Sequence, residues 1–267
     1  MSINREIASG RKRASLLVAL AATLALGGCA NVRQMTTGSV DRTVTGSVTQ
    51  MTAPELRATA NQLGNAYKRN PGDMNVAMQY AEVLQMDGRA DQSLAVMRKA
   101  AIDHPEERRV LAAYGKALAA AGDLQPALDA VRRAQTPEYP DWKLMSAEGA
   151  ILDQLGQPAD ARRLYTRALD LAPNDPSVLS NLGMSHLLEG DLKGAETHLQ
   201  NAVAQPGADS RVRQNLALVV GLQGRFADAE AIATRELSPE QAQANVAYLR
   251  SMLVQQNAWN DLAREEG

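Results

Sequence analysis

The sequence NLGMSHLLEGDLKGAETHLQNAVAQP, residues 181–206, is the clearest copy of a unit that recurs along this chain. A large apolar residue and a glycine, Leu182-Gly183, come before a second glycine, Gly190, and Pro206 ends the copy. The second glycine recurs in four equal steps without an insertion, at Gly88, Gly122, Gly156, Gly190 and Gly224. The step of 34 residues predicts stacked helix–turn–helix units.

The residues around these five glycines keep the same period. A small residue lies five positions after each glycine: Ser93, Ala127, Ala161, Ala195 and Ala229. In most copies a large apolar residue and a small residue come before it: Tyr80-Ala81, Tyr114-Gly115, Leu182-Gly183 and Leu216-Ala217. Prolines are predicted to end the units, at Pro71, Pro105, Pro140, Pro173, Pro206 and Pro239. Small side chains let two antiparallel helices approach closely, glycine permits the tight turn, and proline stops the second helix.

This pattern resembles the tetratricopeptide repeat (TPR) over about residues 56 to 262. The resemblance implies an all-α, right-handed α-solenoid of about five to six helix–turn–helix repeats. The third copy departs from the pattern, because Glu148 stands where the first helix presents a large apolar residue elsewhere. Full repeats are predicted at residues 74–107, 108–141, 142–175, 176–209 and 210–243.

Both ends of the array are atypical, which suits capping units. Residues 55–73 fit a partial repeat that supplies an N-terminal cap, since Leu63, Ala66 and Pro71 match a second helix. Residues 244–267 are predicted to form C-terminal capping helices. Within them, Ala244 to Leu253 resembles a further first helix, and Asn257-Ala258-Trp259 resembles the turn after it.

The N-terminus has the layout of a secretory signal peptide. Basic residues precede an apolar run from Ala14 to Leu26, which is too short to cross a bilayer as a helix. The sequence Leu26-Gly27-Gly28-Cys29 resembles the bacterial lipobox, which implies cleavage after residue 28 and lipidation of Cys29. Ala30 follows the cysteine and implies sorting to the outer membrane. The alternatives are an uncleaved anchor and an ordinary thiol at Cys29.

Residues 29–54 contain the predicted lipidated cysteine and a flexible, Thr- and Ser-rich tether. The sequence Thr37-Gly38-Ser39-Val40 is repeated as Thr45-Gly46-Ser47-Val48, and nothing here could bury a core. Such a segment would hold the repeats away from the membrane and leave them free to reorient.

Composition and charge exclude several classes of function. The net charge is −2, and removal of residues 1–28 would make it more negative, which argues against nucleic acid as a partner. His104, His186 and His198 fall at unrelated repeat positions, and no pair has metal-ligand spacing. Each is therefore interpreted as a packed or solvated histidine. We expect no enzyme, cofactor, metal site or small-molecule substrate.

A TPR array offers a groove lined by its first helices, where an extended or helical peptide can bind. The family's groove positions fall on residues that are polar and basic in the first half of the array and more apolar in the second. These positions are Asn75, Met78, Glu82, Arg109, Ala112, Lys116, Lys143, Ser146, Ala150, Ser180, Asn181, Met184, Leu187, Gln214, Asn215 and Leu218. They suit a peptide with an acidic end and a hydrophobic end. Leu188 and Leu222 are expected to pack on the next repeat instead.

The chain as a whole is similar to the tight-adherence (Flp) pilus assembly lipoproteins of the TadD type. Signal peptide, lipobox, tether and repeats carry this resemblance, together with the segments Arg213-Gln214-Asn215-Leu216-Ala217-Leu218 and Ala244-Asn245-Val246-Ala247-Tyr248-Leu249-Arg250. It implies a non-catalytic, membrane-anchored scaffold facing the periplasm that binds a secretin or another pilus-assembly subunit. The alternative is another periplasmic TPR lipoprotein, either a type IV pilus or type II secretion pilotin or an adaptor for cell-wall or outer-membrane protein assembly.

Overall fold

The computed structural model describes residues 51–138 and 140–265, with side chains described up to residue 255. These residues form twelve α-helices and no strand, as the sequence predicts. The helices are α1 (Ala53–Arg69), α2 (Met74–Met86), α3 (Ala90–Asp103), α4 (Arg108–Ala120), α5 (Leu124–Ala134), α6 (Trp142–Gln154), α7 (Pro158–Leu171), α8 (Pro176–Leu188), α9 (Leu192–Val203), α10 (Ser210–Leu222), α11 (Phe226–Ala233) and α12 (Pro239–Glu265). The predicted signal peptide, Cys29 and residues 30–50 of the tether lie outside the described residues.

The helices form two compact units, divided between Leu171 and Ala172. The N-terminal unit contains α1 to α7, and its helical hairpins are α2–α3, α4–α5 and α6–α7. The C-terminal unit contains α8 to α12, and its hairpins are α8–α9 and α10–α11. Each hairpin consists of one first helix and one second helix, so the predicted helix–turn–helix unit is confirmed.

Acidic residues start the first helices. Asp73, Asp141, Asp175 and Asp209 each accept hydrogen bonds from backbone N–H groups in the first turn of the helix that follows. Asp73 Oδ1, for example, accepts from the backbone nitrogen of Asn75 at 2.9 Å. These caps satisfy N–H groups that the helix itself leaves unpaired, and so they fix where each first helix begins.

The glycines at the hairpin turns adopt a left-handed backbone. Gly156, between α6 and α7, has a φ of 75°, and the equivalent glycines of the other four hairpins also have positive φ angles. No heavy atom lies within 4 Å of a Cβ built at Gly156, so space does not require glycine there. Backbone conformation alone selects it.

The small residues on the first helices are selected by space instead. A Cβ built at Gly115 would lie 2.6 Å from Val131 Cγ2, and one at Gly183 would lie 2.8 Å from Leu199 Cγ. In each case a large apolar side chain of the second helix fills the space over the glycine. We call the small-residue position on the first helix, occupied here by Gly115 and Gly183, the seat of the repeat. A small residue at the seat lets the two helices pack closely.

Two expectations about the chain's C-terminal end need correction. Pro239 does not end a helix but starts α12, where a proline in the first turn loses no hydrogen bond. The helix is also continuous through Asn257-Ala258-Trp259, where a turn was expected. The next 34-residue step after Gly224 falls on Ala258, and alanine disfavours the left-handed conformation that the other turns require.

None of the helices among the described residues combines the length and the apolar composition that a membrane-crossing helix needs.

Candidate functional site

The predicted groove positions all lie on first helices. In the N-terminal unit they fall on α2, α4 and α6, which lie side by side. In the C-terminal unit they fall on α8 and α10, which also contact each other.

The groove face of the N-terminal unit carries a partly buried lysine, Lys116 on α4. Loss of hydration lowers the pKa of its ammonium group, and the positive charge of Lys143 lowers it further. The carboxylates of Asp141 and Glu82 act in the opposite direction but do not offset the first two effects. Among the residues that the structure describes, Lys116 makes no ion pair within 4.0 Å. Within that part of the chain, the lysine is therefore a cation without a direct counter-ion.

Glu82 on α2 does not neutralise this lysine fully. It is partly buried, and desolvation raises the pKa of its carboxyl group while Lys116 lowers it. Arg109 lies seven residues before Lys116, on the same face of α4, and is exposed. The face therefore has an excess of positive charge, and an incoming carboxylate would find partners already in place.

An open cavity adjoins Lys143 at the start of α6. Its volume is about 370 Å³, and it is lined by Arg108, Pro140, Asp141, Trp142 and Lys143. The Lys143 Nζ lies 5.6 Å from the centroid of the Trp142 ring, which is within cation–π range. Arg108 Nε donates to the carbonyl of Ala134 at 2.8 Å and is held in place by it. The groove positions taken from the family pattern include neither Arg108 nor Trp142, because this cavity is built at an inter-repeat loop.

The remaining groove positions of the N-terminal unit supply little chemistry. Ser146 is buried and hydrogen-bonded, so it does not line an open surface. Asn75 is exposed at the start of α2, and Met78, Ala112 and Ala150 are partly buried.

Glu148, the departure from the repeat pattern, forms a structural contact. Its side chain is buried, and Arg132 Nε donates to Glu148 Oε1 at 2.8 Å. Gln135 Nε2 donates to the other carboxylate oxygen at 3.1 Å. Both partners come from the α5 end of the preceding repeat, so the charge is paired inside the N-terminal unit.

In the C-terminal unit the predicted apolar groove surface is largely core. Leu187 is only 3% exposed and belongs to the core cluster of this unit, so its assignment to the groove is wrong. Met184 and Leu218 are partly buried and pack against the same cluster. Leu222 also packs against this cluster, and Leu188 is partly buried. Neighbouring helices cover more of these side chains than the repeat pattern indicates.

The polar groove positions of the C-terminal unit partly satisfy one another. Asn215 Nδ2 donates to Ser180 Oγ at 3.0 Å, which joins α10 to α8. Ser180 is 1% exposed, so its assignment to the open groove surface is also wrong. Asn181 is partly buried and has a partner, while Gln214 is exposed and donates to Ser210 Oγ at 3.0 Å. The Asn215–Ser180 hydrogen bond thus ties the two first helices together.

Two histidines that were assigned to unrelated repeat positions meet in the hairpin α8–α9. The rings of His186 and His198 stack with centroids 5.0 Å apart. His186 Nδ1 lies 2.9 Å from Asp191 Oδ2, and desolvation followed by the nearby His186 lowers the pKa of His198. The sequence missed this pairing because it depends on how two antiparallel helices align. His104 stays separate, with its Nε2 3.0 Å from the carbonyl oxygen of Gly72.

No group of three or more His, Cys, Asp or Glu side chains could hold a metal ion in the part of the chain with described side chains. The site therefore consists of cationic groups, one aromatic ring and an open cavity in the N-terminal unit.

Family models describe most of the repeat region. Residues 152–219 and residues 81–141 each match a tetratricopeptide repeat model. With the all-helical structure, these matches show an α-solenoid of TPR repeats.

One curated relative is the cellulose synthase operon protein C of Xanthomonas axonopodis pv. citri (strain 306). It is 28% identical over 182 residues, which cover 63% of this chain and 12% of the relative. The chain thus spans about an eighth of that relative's length.

Solved TPR structures share the fold. The pilF protein of Pseudomonas aeruginosa is 19% identical, with a TM-score of 0.54 over 73% of this chain and 91% of that one. PilW, a type IV pilus biogenesis factor, is 20% identical, with a TM-score of 0.58 over 80% of this chain and 100% of that one. A thermophilic TPR protein of Thermus thermophilus is 20% identical, with a TM-score of 0.58 over 66% of this chain and 98% of that one. At these identities the likeness is one of fold.

Proposed function

We propose that this TPR chain is a non-catalytic, lipid-anchored scaffold that helps the Flp (tight adherence, type IVb) pilus secretion apparatus to assemble. It does so by binding an acidic segment of a secretin or of another assembly subunit. The observation that carries the binding step is the partly buried Lys116, which has no direct counter-ion among the described residues and is close enough to Lys143 for the two charges to interact. TPR arrays are a protein-interaction fold, so a protein is the expected partner.

An anionic side chain or a terminal carboxylate would complete this site. Lys116 has lost part of its hydration and has Lys143 nearby, so its charged form is disfavoured while the site is empty. A bound carboxylate would favour the charged form and recover part of that cost. Trp142 and the adjoining cavity could hold an apolar or aromatic neighbour of the acidic group.

Anchoring is proposed from the sequence alone. Lipidation at Cys29 would hold the scaffold at a membrane, facing the periplasm and in the outer membrane, because Ala30 follows the cysteine. Stable anchoring requires more than one acyl chain, and lipoprotein modification supplies several. The segment between Cys29 and α1 would then set the distance over which the repeats can reach a partner.

The pilus role is supported by the resemblance of the whole chain to the Flp pilus assembly lipoproteins. Deletion in the native host, followed by complementation, tests it. Wild-type protein should restore surface Flp pili and secretin multimers, whereas a Lys116→Glu/Lys143→Glu variant and a Cys29→Ser variant should not. An Arg98→Glu/Lys99→Glu variant makes the same charge reversal on α3 and should complement fully. Normal piliation in the deletion strain would contradict the proposal.

The second candidate is another periplasmic TPR lipoprotein. The solved structures of pilF and of the type IV pilus biogenesis factor PilW have this fold. A type IV pilus or type II secretion pilotin is therefore one form of this second candidate. An adaptor for cell-wall or outer-membrane protein assembly would leave piliation intact and change the cell envelope. The complementation experiment therefore separates the candidates.

A further inference from the structure

Helix α12 is placed as the first helix of a further repeat, but no second helix follows it among the described residues. One face of α12 packs on α10 and α11 through Ala242, Val246 and Leu249, which are 0%, 8% and 4% exposed. The opposite face carries Ala244, Tyr248 and Ser251, which are all exposed.

In the preceding repeats, residues of the first helices that are equivalent to exposed residues of α12 are buried. Val254 is 64% exposed, whereas the residues one, three and four repeats earlier, Val220, Leu152 and Leu118, are 1%, 2% and 2% exposed. Ser251 occupies the seat position defined above and is exposed. Its counterparts in the chain, among them Gly149 and Gly183, are buried. Within the described part of the chain, no second helix covers this face of α12 as one covers the equivalent faces of the earlier first helices.

Four second helices, α3, α5, α7 and α9, fill the seat with the same pattern of side chains, whereas α11 departs from it at Ala233 and Glu236. A large apolar residue lies between two small ones, four residues after the first and three before the second. In α7 these residues are Ala161, Tyr165 and Ala168, which are 0%, 1% and 0% exposed. Tyr165 fills the seat at Gly149, where a Cβ would lie 2.6 Å from Tyr165 Cε1.

The exposed face of α12 has the same pattern at the same spacing. Ala244, Tyr248 and Ser251 repeat the small–tyrosine–small arrangement of α7, and Tyr248 is 45% exposed. This face thus has a side chain that can fill a seat, Tyr248, and a seat residue that no side chain covers, Ser251. A surface that carries both halves of a contact is self-complementary, as a two-fold symmetric interface must be.

We propose that two copies of this chain pair through α12, antiparallel, as the first and second helices of a repeat do. Tyr248 of each copy fills the seat at Ser251 of the other, and Val254 of each becomes covered. The interface repeats, between two copies, the helix–helix contact that each repeat makes within one copy.

The polar groups at this interface have partners. Ser251 Oγ donates to the carbonyl of Tyr248 in its own helix at 2.7 Å, so covering it leaves no donor unpaired. In the N-terminal unit, Tyr165 Oη donates to Asp153 Oδ2 at 2.8 Å. The residue in the place of Asp153 on α12 is Gln255, whose side-chain oxygen can accept from the Tyr248 hydroxyl of the second copy.

Sedimentation equilibrium of the detergent-solubilised full chain, with the detergent matched to the solvent density, tests this pairing. The wild-type chain should have a concentration-dependent mass between one and two copies. Ser251→Arg and Val254→Arg should each weaken the dimer by roughly tenfold or more, because an arginine would occupy the contact. Ile102→Arg changes an exposed apolar residue on α3, 70% exposed, and should leave the dimer unchanged.

Circular dichroism of each variant checks that its helices are retained, and two independent variants guard against a folding defect in one. Folded arginine variants that sediment as single copies while Ile102→Arg dimerises would support the pairing. A wild-type chain that stays a single copy at all concentrations would overturn it. So would dimers that both arginine variants leave intact, since they would use another surface.

Discussion

The ring of Tyr165 occupies the space that a side chain at Gly149 would need. A Cβ at residue 149 would lie 2.6 Å from Tyr165 Cε1, and Tyr165 is 1% exposed. The hydroxyl of Tyr165 is fixed by Asp153, and burial raises the pKa of this phenol. The pair shows how α6 and α7 approach closely enough to form one repeat.

Gly149→Ala should destabilise the protein by roughly 1–3 kcal/mol, because the added methyl must displace a buried ring. Gly72→Ala is the matched control, since the nearest atom to its Cβ is 3.9 Å away, and it should change the free energy of unfolding by less than about 0.5 kcal/mol. Urea unfolding followed by circular dichroism measures both. Equal effects would show that the seat is not tightly packed.

Gly156→Ala should also destabilise, but for a different reason. Its φ of 75° strains a non-glycine residue, although no atom crowds the site. We expect a cost of roughly 1 kcal/mol for alanine and less for asparagine, which tolerates this conformation better. The order Gly, Asn, Ala in thermal midpoint is the expected result. An alanine variant as stable as wild type would contradict it.

Substitution of Arg132 should lower the stability of the protein, whereas substitution of Glu148 by an apolar residue should not. Arg132→Met leaves a buried carboxylate with one partner fewer and should destabilise by roughly 1 kcal/mol, since Arg132 is itself half exposed. Glu148→Leu restores the apolar residue of the other repeats and should be neutral or stabilising. A double variant more stable than Arg132→Met alone would confirm the explanation, and a Glu148→Leu protein less stable than Arg132→Met would refute it.

Lys116→Met should separate stability from binding. The variant removes a desolvated cation while keeping a side chain of similar length, so the free energy of unfolding should rise, by roughly 1 kcal/mol. Retention of an acidic partner should fall at the same time. Arg98→Met, which removes an exposed cation on α3, is the control and should change neither property appreciably. A Lys116→Met protein that is less stable than wild type would contradict the view that this lysine lacks a counter-ion.

The histidine pair should make stability depend on pH. The pKa of His198 is lowered in the folded protein, so the unfolded chain binds its proton more readily. The contribution of His198 to stability is therefore present above its unfolded pKa, about 6.5, and is lost as the pH falls below it. Urea unfolding at neutral and mildly acidic pH should show this loss, and His198→Gln should reduce it. The same loss in His198→Gln would assign the effect to other groups.

Repeat length, turn glycines and seat residues could be predicted from the sequence because each follows from local conformation or from one helix–helix contact. Which residues line the groove in the C-terminal unit could not be predicted, because Leu187 is buried by helices that the repeat pattern does not place precisely. Partners of Glu148 and the stacking of His186 on His198 depend on side-chain positions across helices. For the same reason, the altered environment of Lys116 could not be read from its position in a repeat.

We propose that the groove face of the N-terminal unit binds a pilus-assembly partner. Crosslinking in the native host, followed by purification of the chain from membranes, tests it most directly, with wild type compared against Lys116→Glu/Lys143→Glu and against Arg98→Glu/Lys99→Glu. We expect a secretin or another Flp pilus component to be recovered with wild type and with the α3 control but lost with the groove variant. Recovery of cell-wall enzymes or outer-membrane protein assembly factors instead, or equal recovery with all three proteins, would contradict it.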